Sequence, residues 1–434
     1  MKQINRRSLL KTGGRLSLAA MLGSWAQPAW SRQLQKALTN QEYTPATVLS
    51  EDEDFWYYVQ QAYTTTESVI NLNNGGVSPA PRVVQDAVKR YLDFSNEAPS
   101  YHMLRILDLG KEKIRRDLAL LAGVPADGVA LQRNATEALQ TIIFGLPLKA
   151  GDEVVLCRQD YPSMIHAWQQ RASRDGIKLV WANLQLPSED NDYLVHQYTR
   201  LFTPRTRLVH LTHMINWNGQ ILPVRRIADQ AHARGIEVLV DGAQSFAQLP
   251  YAITDLGADY FAASLHKWLS ACIGTGMLYV KAEHIGKIYP LFAAENPAET
   301  NIRKFEHLGT KPSAIELATG KAIEFHQMIG SERKQARLQY LKNYWMEKVM
   351  QVPKVRLCTS LRPEFGCAIG LVNLDGIAPV ELDNFFFQKY RVHTTPVKWG
   401  GIEGVRVTPN VYTSTRDLNV LVQAINQAAT KGLS

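Results

Sequence analysis

Short apolar runs alternate with stretches of helical periodicity along the middle of the chain, and this rhythm predicts strands and helices in turn. The strand candidates are Val154–Cys157, Leu179–Ala182, Leu208–Leu211, Val238–Val240, Tyr260–Ala263 and Met277–Val280. Helical segments are predicted before and between them, at Thr136–Ile143, Ser163–Asp175 and Val224–Arg234. Such alternation is typical of a largely parallel sheet that helices cover on both faces.

The rhythm changes after Pro312, where one long helical stretch begins. This helix is predicted from Ser313 towards Met350, with Gly320 and Gly330 as weak points. Shorter strands and a closing helix follow, at Ala368–Leu374, Val405–Thr408 and Thr415–Thr430. The expected organisation is therefore an N-terminal arm, a large α/β domain and a smaller α+β C-terminal domain, at residues 30–70, 71–310 and 311–434.

The first residues of the chain have the layout of a signal peptide. Of 434 residues, 48 are Lys or Arg and 40 are Asp or Glu, and seven of the basic ones precede the first acidic residue, Glu42. An apolar run, Leu16–Trp25, follows this basic start and is too short to span a membrane. These features predict a signal peptide over residues 1–29, with cleavage after Ala26 or Ala29.

The basic part of this segment contains the pair Arg6–Arg7, followed by two leucines and a lysine. It resembles the twin-arginine (Tat) export signal of bacteria, which a receptor reads as an address. The resemblance implies the Tat export machinery as a partner, a periplasmic location, and a protein exported already folded around its cofactor. A general secretory signal or an amphipathic N-terminal helix is the alternative.

Composition and charge exclude several classes of protein. A content of 45% hydrophobic and 20% charged residues excludes a disordered chain, a collagen and a coiled coil. Cleavage after Ala29 would lower the net charge from +8 to +3, so a nucleic-acid partner is not expected. No later stretch reaches membrane-spanning length without charges, so no membrane span is expected either.

The four cysteines are scattered, without a C-x-x-C motif or Cys/His ligand spacing. Neither a metal site nor a dense disulfide framework is therefore predicted. Cys157 lies in an apolar run, which favours a buried structural thiol. The sequence leaves open whether Cys358 and Cys367 pair in an oxidising periplasm.

An acid and a lysine that follow two predicted strands are the strongest chemical signal. Asp241 begins the motif Asp-Gly-Ala-Gln after Val238–Val240, and Lys267 ends Ser-Leu-His-Lys, 26 residues later. Parallel α/β sheets bind ligands at the carboxyl ends of their strands. Pyridoxal 5′-phosphate needs a lysine that forms a Schiff base with its aldehyde and a carboxylate that keeps its ring nitrogen protonated.

These two motifs at this separation resemble the class V aminotransferase family of fold type I pyridoxal-phosphate enzymes. The resemblance extends from about Asn71 to Arg406. It implies a fold type I transferase with a mainly parallel seven-stranded sheet, pyridoxal 5′-phosphate as cofactor, and two catalytic residues. Lys267 would form the Schiff base and move the proton at the substrate α-carbon, and Asp241 would pair with the ring nitrogen.

The resemblance also implies residues that contact the cofactor elsewhere. Gln244 and Asn216 would contact the phenolic oxygen, and Tyr161 would stack on the ring. The phosphate ligands would be Ala135 and Thr136 at a helix start, which alone could be a plain capping box, with Ser264 and His266.

Substrate and subunit contacts follow from the same resemblance. Arg406 would hold the substrate α-carboxylate, and Gly75 and Gly76 would line the substrate side. Thr310 would complete the phosphate site of a twin subunit, which implies a homodimer. The residues leave open whether three further side chains line the pocket or only pack: Tyr101, His102 and Trp217.

The chain departs from one branch of this family. Cysteine desulfurases need a nucleophilic thiol shortly before the carboxylate arginine, where this chain has Thr394 and Thr395. Hydroxyls cannot replace a thiolate at neutral pH, so persulfide chemistry is not predicted. The motifs are closer to the isopenicillin N epimerase-like branch, which favours epimerisation or transamination. A carbon–sulfur β-elimination lyase is the alternative, followed by a non-catalytic exported protein that binds the cofactor.

Overall fold

The computed structural model describes residues 29–433. The predicted signal peptide, apart from Ala29, and its arginine pair lie outside the described residues, so these expectations stay predictions. The helix Ala29–Asn40 belongs to an N-terminal unit that ends at Glu42. All the elements below lie in the second unit, which begins at Tyr43.

The second unit contains a sheet of seven strands. After a two-residue strand β1, Ile70–Asn71, the sheet strands are β2 (Val129–Gln132), β3 (Glu153–Cys157), β4 (Lys178–Ala182), β5 (Thr206–Thr212), β6 (Glu237–Asp241), β7 (Tyr260–Ser264) and β8 (Gly276–Val280). Their order is β2-β8-β7-β6-β5-β3-β4. Only β8 runs against the others, because it pairs antiparallel with both β7 and β2. The expected mainly parallel seven-stranded sheet is confirmed.

Helices cover this sheet, which explains why its strands are apolar on both faces. Strands β3, β7 and β8 are buried along their whole length. Ala135–Gly145 and Pro162–Asp175 pack into the same apolar core, with Trp168 fully buried. Longer helices also lie at Arg82–Glu97, Asp108–Ala122, Asn191–Thr199, Val224–His232 and Ser313–Ile329. Shorter ones are Ala46–Leu49, Glu53–Gln60, Pro99–Tyr101, Ala282–Ile285, a π-helix at His102–Leu107, and 3₁₀ turns at Ala126–Gly128, Ile253–Leu256 and Ile302–Glu306.

A smaller antiparallel sheet forms the C-terminal domain. Its strands are β9 (Val355–Leu357), β10 (Gly370–Leu374), β12 (Thr395–Trp399) and β13 (Ile402–Val407), in the order β12-β13-β10-β9. Three helices accompany it: Ser331–Val349, Pro379–Tyr390 and Thr415–Lys431. The remaining strand, β11 (Val392–His393), pairs with β1 and so ties the start of the unit to its end. The smaller α+β domain is confirmed, whereas its exact boundaries stay a prediction.

The long helix predicted from Ser313 towards Met350 is wrong in one respect. It is divided at Gly330, whose φ of +92° cannot belong to a helix. Gly320 stays inside the first helix, where it is buried and packs closely against Ile114, since a Cβ there would lie 2.9 Å from a methyl carbon of that side chain. The sequence pattern also missed strand β2, a run of four residues.

All four cysteines lie in the described part of the chain and are free thiols, so Cys358 and Cys367 are not paired. Within residues 29–433 no helix is both long enough and apolar enough to cross a bilayer.

Candidate active site

A cavity of about 440 Å³ lies at the carboxyl ends of strands β5, β6 and β7. Its lining brings together every predicted site residue except Thr310, namely Gly75, Gly76, Ala135, Thr136, Tyr161, Asn216, Asp241, Gln244, Ser264, His266, Lys267 and Arg406. Several further residues line the cavity that the sequence motifs do not assign to the site: Asn134, Leu139, Pro162, Met164, Thr212, Met214, Trp217, Ala243 and Thr395. Thr212 directly follows a predicted strand, as Asp241 does, so the same positional rule could have found it.

One end of the cavity is built for an anion. The helix Ala135–Gly145 begins there, capped by the Asn134 side chain, which accepts a hydrogen bond of 2.9 Å from the Glu137 amide. The amide of Ala135 donates to Ser264 Oγ at 3.0 Å. The amide of Thr136 donates to none of the described residues, and the helix dipole adds partial positive charge at this point.

Two neighbours shape the anion end. His266 Nδ1 lies 3.2 Å from the carbonyl of Thr275, which can only accept, so this nitrogen carries the hydrogen and Nε2 stays available. Burial, and then Lys267, lower the pKa of His266. Gly276 allows strand β8 to approach, because a Cβ there would lie 2.6 Å from the backbone of Asn134.

Lys267 and Asp241 supply an amine and a carboxylate in the same cavity. Desolvation lowers the pKa of Lys267 to about 8, although Asp241 opposes the shift. A larger fraction of this amine is therefore uncharged near neutral pH than in a solvated lysine. Asp241 ends β6 and accepts a hydrogen bond of 2.9 Å from the Ala243 amide. Burial raises its pKa, while that hydrogen bond and Lys267 act in the opposite direction.

An amide network links the predicted phenolic-oxygen ligands to the arginine. Gln244 Nε2 donates to Gly75 O at 2.9 Å and to Asn216 Oδ1 at 2.8 Å. Its Oε1 accepts from Trp268 Nε1 at 2.9 Å. Since Asn216 Oδ1 also accepts from Arg406 Nη1, the Asn216 amide nitrogen is the group left to donate to a ligand.

Arg406 is a buried cation that has no carboxylate partner among residues 29–433. Its Nη1 donates to Asn216 Oδ1 at 2.7 Å and its Nη2 donates to Asn73 Oδ1 at 3.0 Å. Its Nε is buried and has no hydrogen-bond partner among the described residues. Burial lowers the pKa of the guanidinium to about 10, so the group stays charged at neutral pH. A buried charge with an unused donor favours an anionic ligand.

Tyr161 lies at the cavity mouth with 41% of its surface exposed. Its ring stacks on Trp217, with centroids 6.3 Å apart and planes 27° apart. Its expected role on the cofactor ring stays a prediction. Of the three side chains left open, Trp217 lines the cavity, whereas Tyr101 and His102 do not. His102 instead stacks on Phe94 with centroids 4.0 Å apart.

A second carboxyl group lies behind Asp241. Asp160 is buried and accepts hydrogen bonds of 2.7 Å from the Cys157 amide and from Thr212 Oγ1. Thr212 is the register partner of Asp241 on the neighbouring strand. Burial raises the pKa of Asp160 to about 7, and Asp241 adds to this shift. The sequence pattern does not single out Asp160, because its burial depends on the packing of β3 against β5.

Thr310 does not line the cavity of its own chain. It is exposed and follows Gly309, whose φ is +76°. Its expected contribution to a twin subunit stays a prediction.

The residues present fit pyridoxal 5′-phosphate. The unpaired Thr136 amide and the helix start suit the phosphate. Asp241 suits the ring nitrogen, the Asn216 amide suits the phenolic oxygen, and the Lys267 amine suits the aldehyde. The fold and the site together define the class as the fold type I pyridoxal-phosphate enzymes.

A match to a known family identifies the chain more specifically than its fold does. The sequence model of the family described as Aminotransferase class-V matches residues 70–393. The chain therefore belongs to the class V aminotransferase family, whose enzymes depend on pyridoxal 5′-phosphate.

Relatives in this family carry more than one activity. The chain is 27% identical to isopenicillin N epimerase of Streptomyces clavuligerus over 377 residues, which cover 83% of this chain and 94% of the relative. It is 29% identical to a probable cysteine desulfurase of Synechocystis over 307 residues, which cover 67% of this chain and 72% of the relative.

Solved structures support the fold alone. The cysteine desulfurase CsdA from Escherichia coli matches with a TM-score of 0.75 at 20% identity, over 85% of this chain and 97% of that one. The cystine C–S lyase C-DES in complex with cysteine persulfide also matches with a TM-score of 0.75, at 22% identity, over 83% of this chain and 98% of that one.

Proposed function

We propose that this enzyme acts at the α-carbon of an amino acid, or of a substrate that bears an amino-acid group, by epimerisation or transamination. The observation that carries the proposal is Arg406, a buried cation with an unused Nε, which lines the same cavity as Lys267 and Asp241. A planar guanidinium suits the α-carboxylate of such a substrate. The similarity to isopenicillin N epimerases along most of both chains supports this branch of the family.

The chain's own residues divide the work in this proposal. Bound pyridoxal 5′-phosphate would supply an electron sink for negative charge at the substrate α-carbon. Arg406 would hold the carboxylate in a cavity whose desolvation strengthens the ion pair. The Lys267 amine, with a pKa of about 8, would accept the proton from the α-carbon and return it. The Asp241 carboxylate would accept a hydrogen bond from the ring nitrogen and keep it protonated.

We also propose that the enzyme does not form a persulfide on a cysteine of its own. None of its four cysteines, all of which lie in the described part of the chain, lines the cavity. Burial raises the pKa of both Cys157 and Cys367 to about 12, which leaves almost no thiolate at neutral pH. Thr395 occupies the cavity wall near Arg406, its register partner on β13.

The test is α-hydrogen exchange by the cofactor-loaded enzyme in deuterated water, followed by NMR. Amino acids are expected to gain deuterium, whereas the matching amines without a carboxylate should gain it at least about a hundredfold more slowly, because Arg406 then lacks its ligand. Keto-acid and sulfide detection in the same samples separates transamination and β-elimination from epimerisation. Absence of exchange with every amino acid would refute the proposal in favour of a non-catalytic cofactor-binding protein.

We propose that the enzyme is a homodimer. Tyr101, Leu104 and Leu109 are exposed apolar side chains along one short stretch of the large domain, which supports a covered surface there. The exposed Thr310 would then be available to the other subunit's anion site. Light scattering should give about twice the mass of one chain, and a monomer at micromolar concentration would contradict the proposal.

We further propose export to the periplasm through the twin-arginine route, on the sequence of residues 1–29. Replacing both Arg6 and Arg7 with lysine keeps the charge but removes the recognised pair. The variant is expected to accumulate in the cytoplasm with its signal uncleaved, as fractionation and mass spectrometry would show. Unchanged periplasmic accumulation would rule this route out.

A further inference from the structure

The charged groups that line the cavity are few, and the proposed function uses each of them. Among the described residues they are Asp241, His266, Lys267 and Arg406. Three of them serve the cofactor, and Arg406 serves the substrate carboxylate. No lining residue in this part of the chain is left to pair with a second charge on the substrate. Because an unpaired charge is strongly unfavourable in a desolvated cavity, the adjoining part of the substrate side chain should be uncharged.

One wall of the cavity is aromatic. Trp217 lines the cavity and lies between two other rings, Tyr161 at 6.3 Å and Trp399 at 5.8 Å between centroids. Its Nε1 donates to the carbonyl of Gln159 at 2.9 Å. The indole has therefore used its only hydrogen-bond donor, and the partly exposed ring surface that lines the cavity offers apolar contacts.

Contacts from both domains fix this wall. Trp217 follows β5 of the large sheet, whereas Trp399 ends β12 of the small sheet. Gln159 Nε2 also donates to the carbonyl of Gly400 at 2.6 Å, so the tip of the β12–β13 hairpin is held against the large domain. An aromatic surface that is already ordered loses little conformational entropy when a ligand binds.

From these contacts we propose that Trp217 determines substrate specificity by receiving an uncharged, flat or apolar side chain of the amino acid whose carboxylate Arg406 holds. The inference rests on the proposed function and adds the substrate class to it. Aromatic contact with the exposed part of this ring, together with the apolar area removed from water, should favour such side chains about tenfold or more over charged ones of similar length.

The test compares amino acids of matched length with the cofactor-loaded enzyme and with Trp217→Ala and Trp217→Phe. Phenylalanine and leucine represent the proposed class, glutamate and lysine the charged alternatives, and alanine a side chain too short to reach the wall. The change in the cofactor's visible absorption gives the half-saturating concentration, and α-hydrogen exchange gives the rate. Wild type should saturate with phenylalanine at a concentration at least about tenfold lower than with glutamate.

Trp217→Ala is expected to lose that preference through a higher half-saturating concentration, with alanine affected less than threefold, while Trp217→Phe keeps most of it. Tyr57→Ala, at an exposed aromatic residue outside the cavity lining, is the matched control and should not change the ranking. A preference for glutamate or lysine, or an unchanged ranking in Trp217→Ala, overturns this inference but leaves the proposed function standing. Failure of every amino acid to alter the absorption or exchange hydrogen overturns both.

Discussion

Lys267→Ala is expected to abolish covalent attachment of the cofactor and to lower α-hydrogen exchange by at least about a thousandfold. The reason is that one amine supplies both the bond to the aldehyde and the base at the substrate α-carbon. Borohydride reduction followed by peptide mass spectrometry checks the first effect, because wild type should carry the label on the peptide that contains Lys267. Exchange in deuterated water checks the second.

A matched control is available in Lys342→Met. Lys342 is fully buried, and burial lowers its pKa to about 8, as for Lys267. Its Nζ donates to the carbonyl of Ser360, and it does not line the cavity. This variant should keep the label and the exchange rate in whatever fraction folds. Label retained in Lys267→Ala, or lost from correctly folded Lys342→Met, would contradict the assignment.

The buried lysines show which features of the site could be predicted from the sequence. A lowered pKa does not single out Lys267, because the pKa of buried Lys334 is lowered to about 7. Lys267 differs from the other buried lysines in its position. It follows β7 at the carboxyl ends of the parallel strands, where β6 presents Asp241. This position could be predicted, because the sequence shows directly where each apolar strand ends and which polar residues follow it.

Contacts between distant segments could not be predicted in the same way. The sequence suggested Arg406 as a carboxylate ligand, but its hydrogen bonds to Asn73 and Asn216 join three segments that only the folded chain brings together. Asp160 likewise becomes a perturbed acid only through burial next to Asp241. The sequence alone does not show whether Trp217 packs in the core or lines the cavity. Its environment depends on the β12–β13 hairpin, which places Trp399 beside it.

The position at which the long predicted helix divides, Gly330, could be predicted from the sequence only in part. Both Gly320 and Gly330 weaken a helix by composition alone. Gly320 lies on the buried face of its helix, and the packing of that face outweighs the poor helix propensity of one glycine. The sequence therefore marks both weak points but does not show which one breaks.

Asp241→Asn is expected to retain bound cofactor but to lower α-hydrogen exchange by about a thousandfold or more. Asparagine can still accept the hydrogen bond from the Ala243 amide, so the loop should keep its shape. A neutral amide cannot hold the ring nitrogen protonated, and without that charge the cofactor is a weak electron sink. Equilibrium binding of the cofactor and single-turnover exchange separate the two effects. A rate within tenfold of wild type would refute the assignment of Asp241.

Asp160→Asn is the matched control, because it removes the neighbouring buried carboxyl group that lies outside the cavity lining. Exchange should stay within about tenfold of wild type if the charge at the ring nitrogen is what counts.

The clearer effect of Asp160→Asn is on stability. Since the folded pKa of Asp160 is about 7 and its unperturbed value is 3.8, the folded state binds more protons between these pH values. The free energy of unfolding of wild type therefore declines from about pH 4 to 7, by up to roughly 4 kcal/mol from this group. Asp160→Asn should remove that decline. Urea titrations at pH 5 and 8 should therefore show that the free energy of unfolding of the variant, relative to wild type, is higher at pH 8 than at pH 5. The two variants are distinguished by activity, because only Asp241→Asn is expected to lose α-hydrogen exchange.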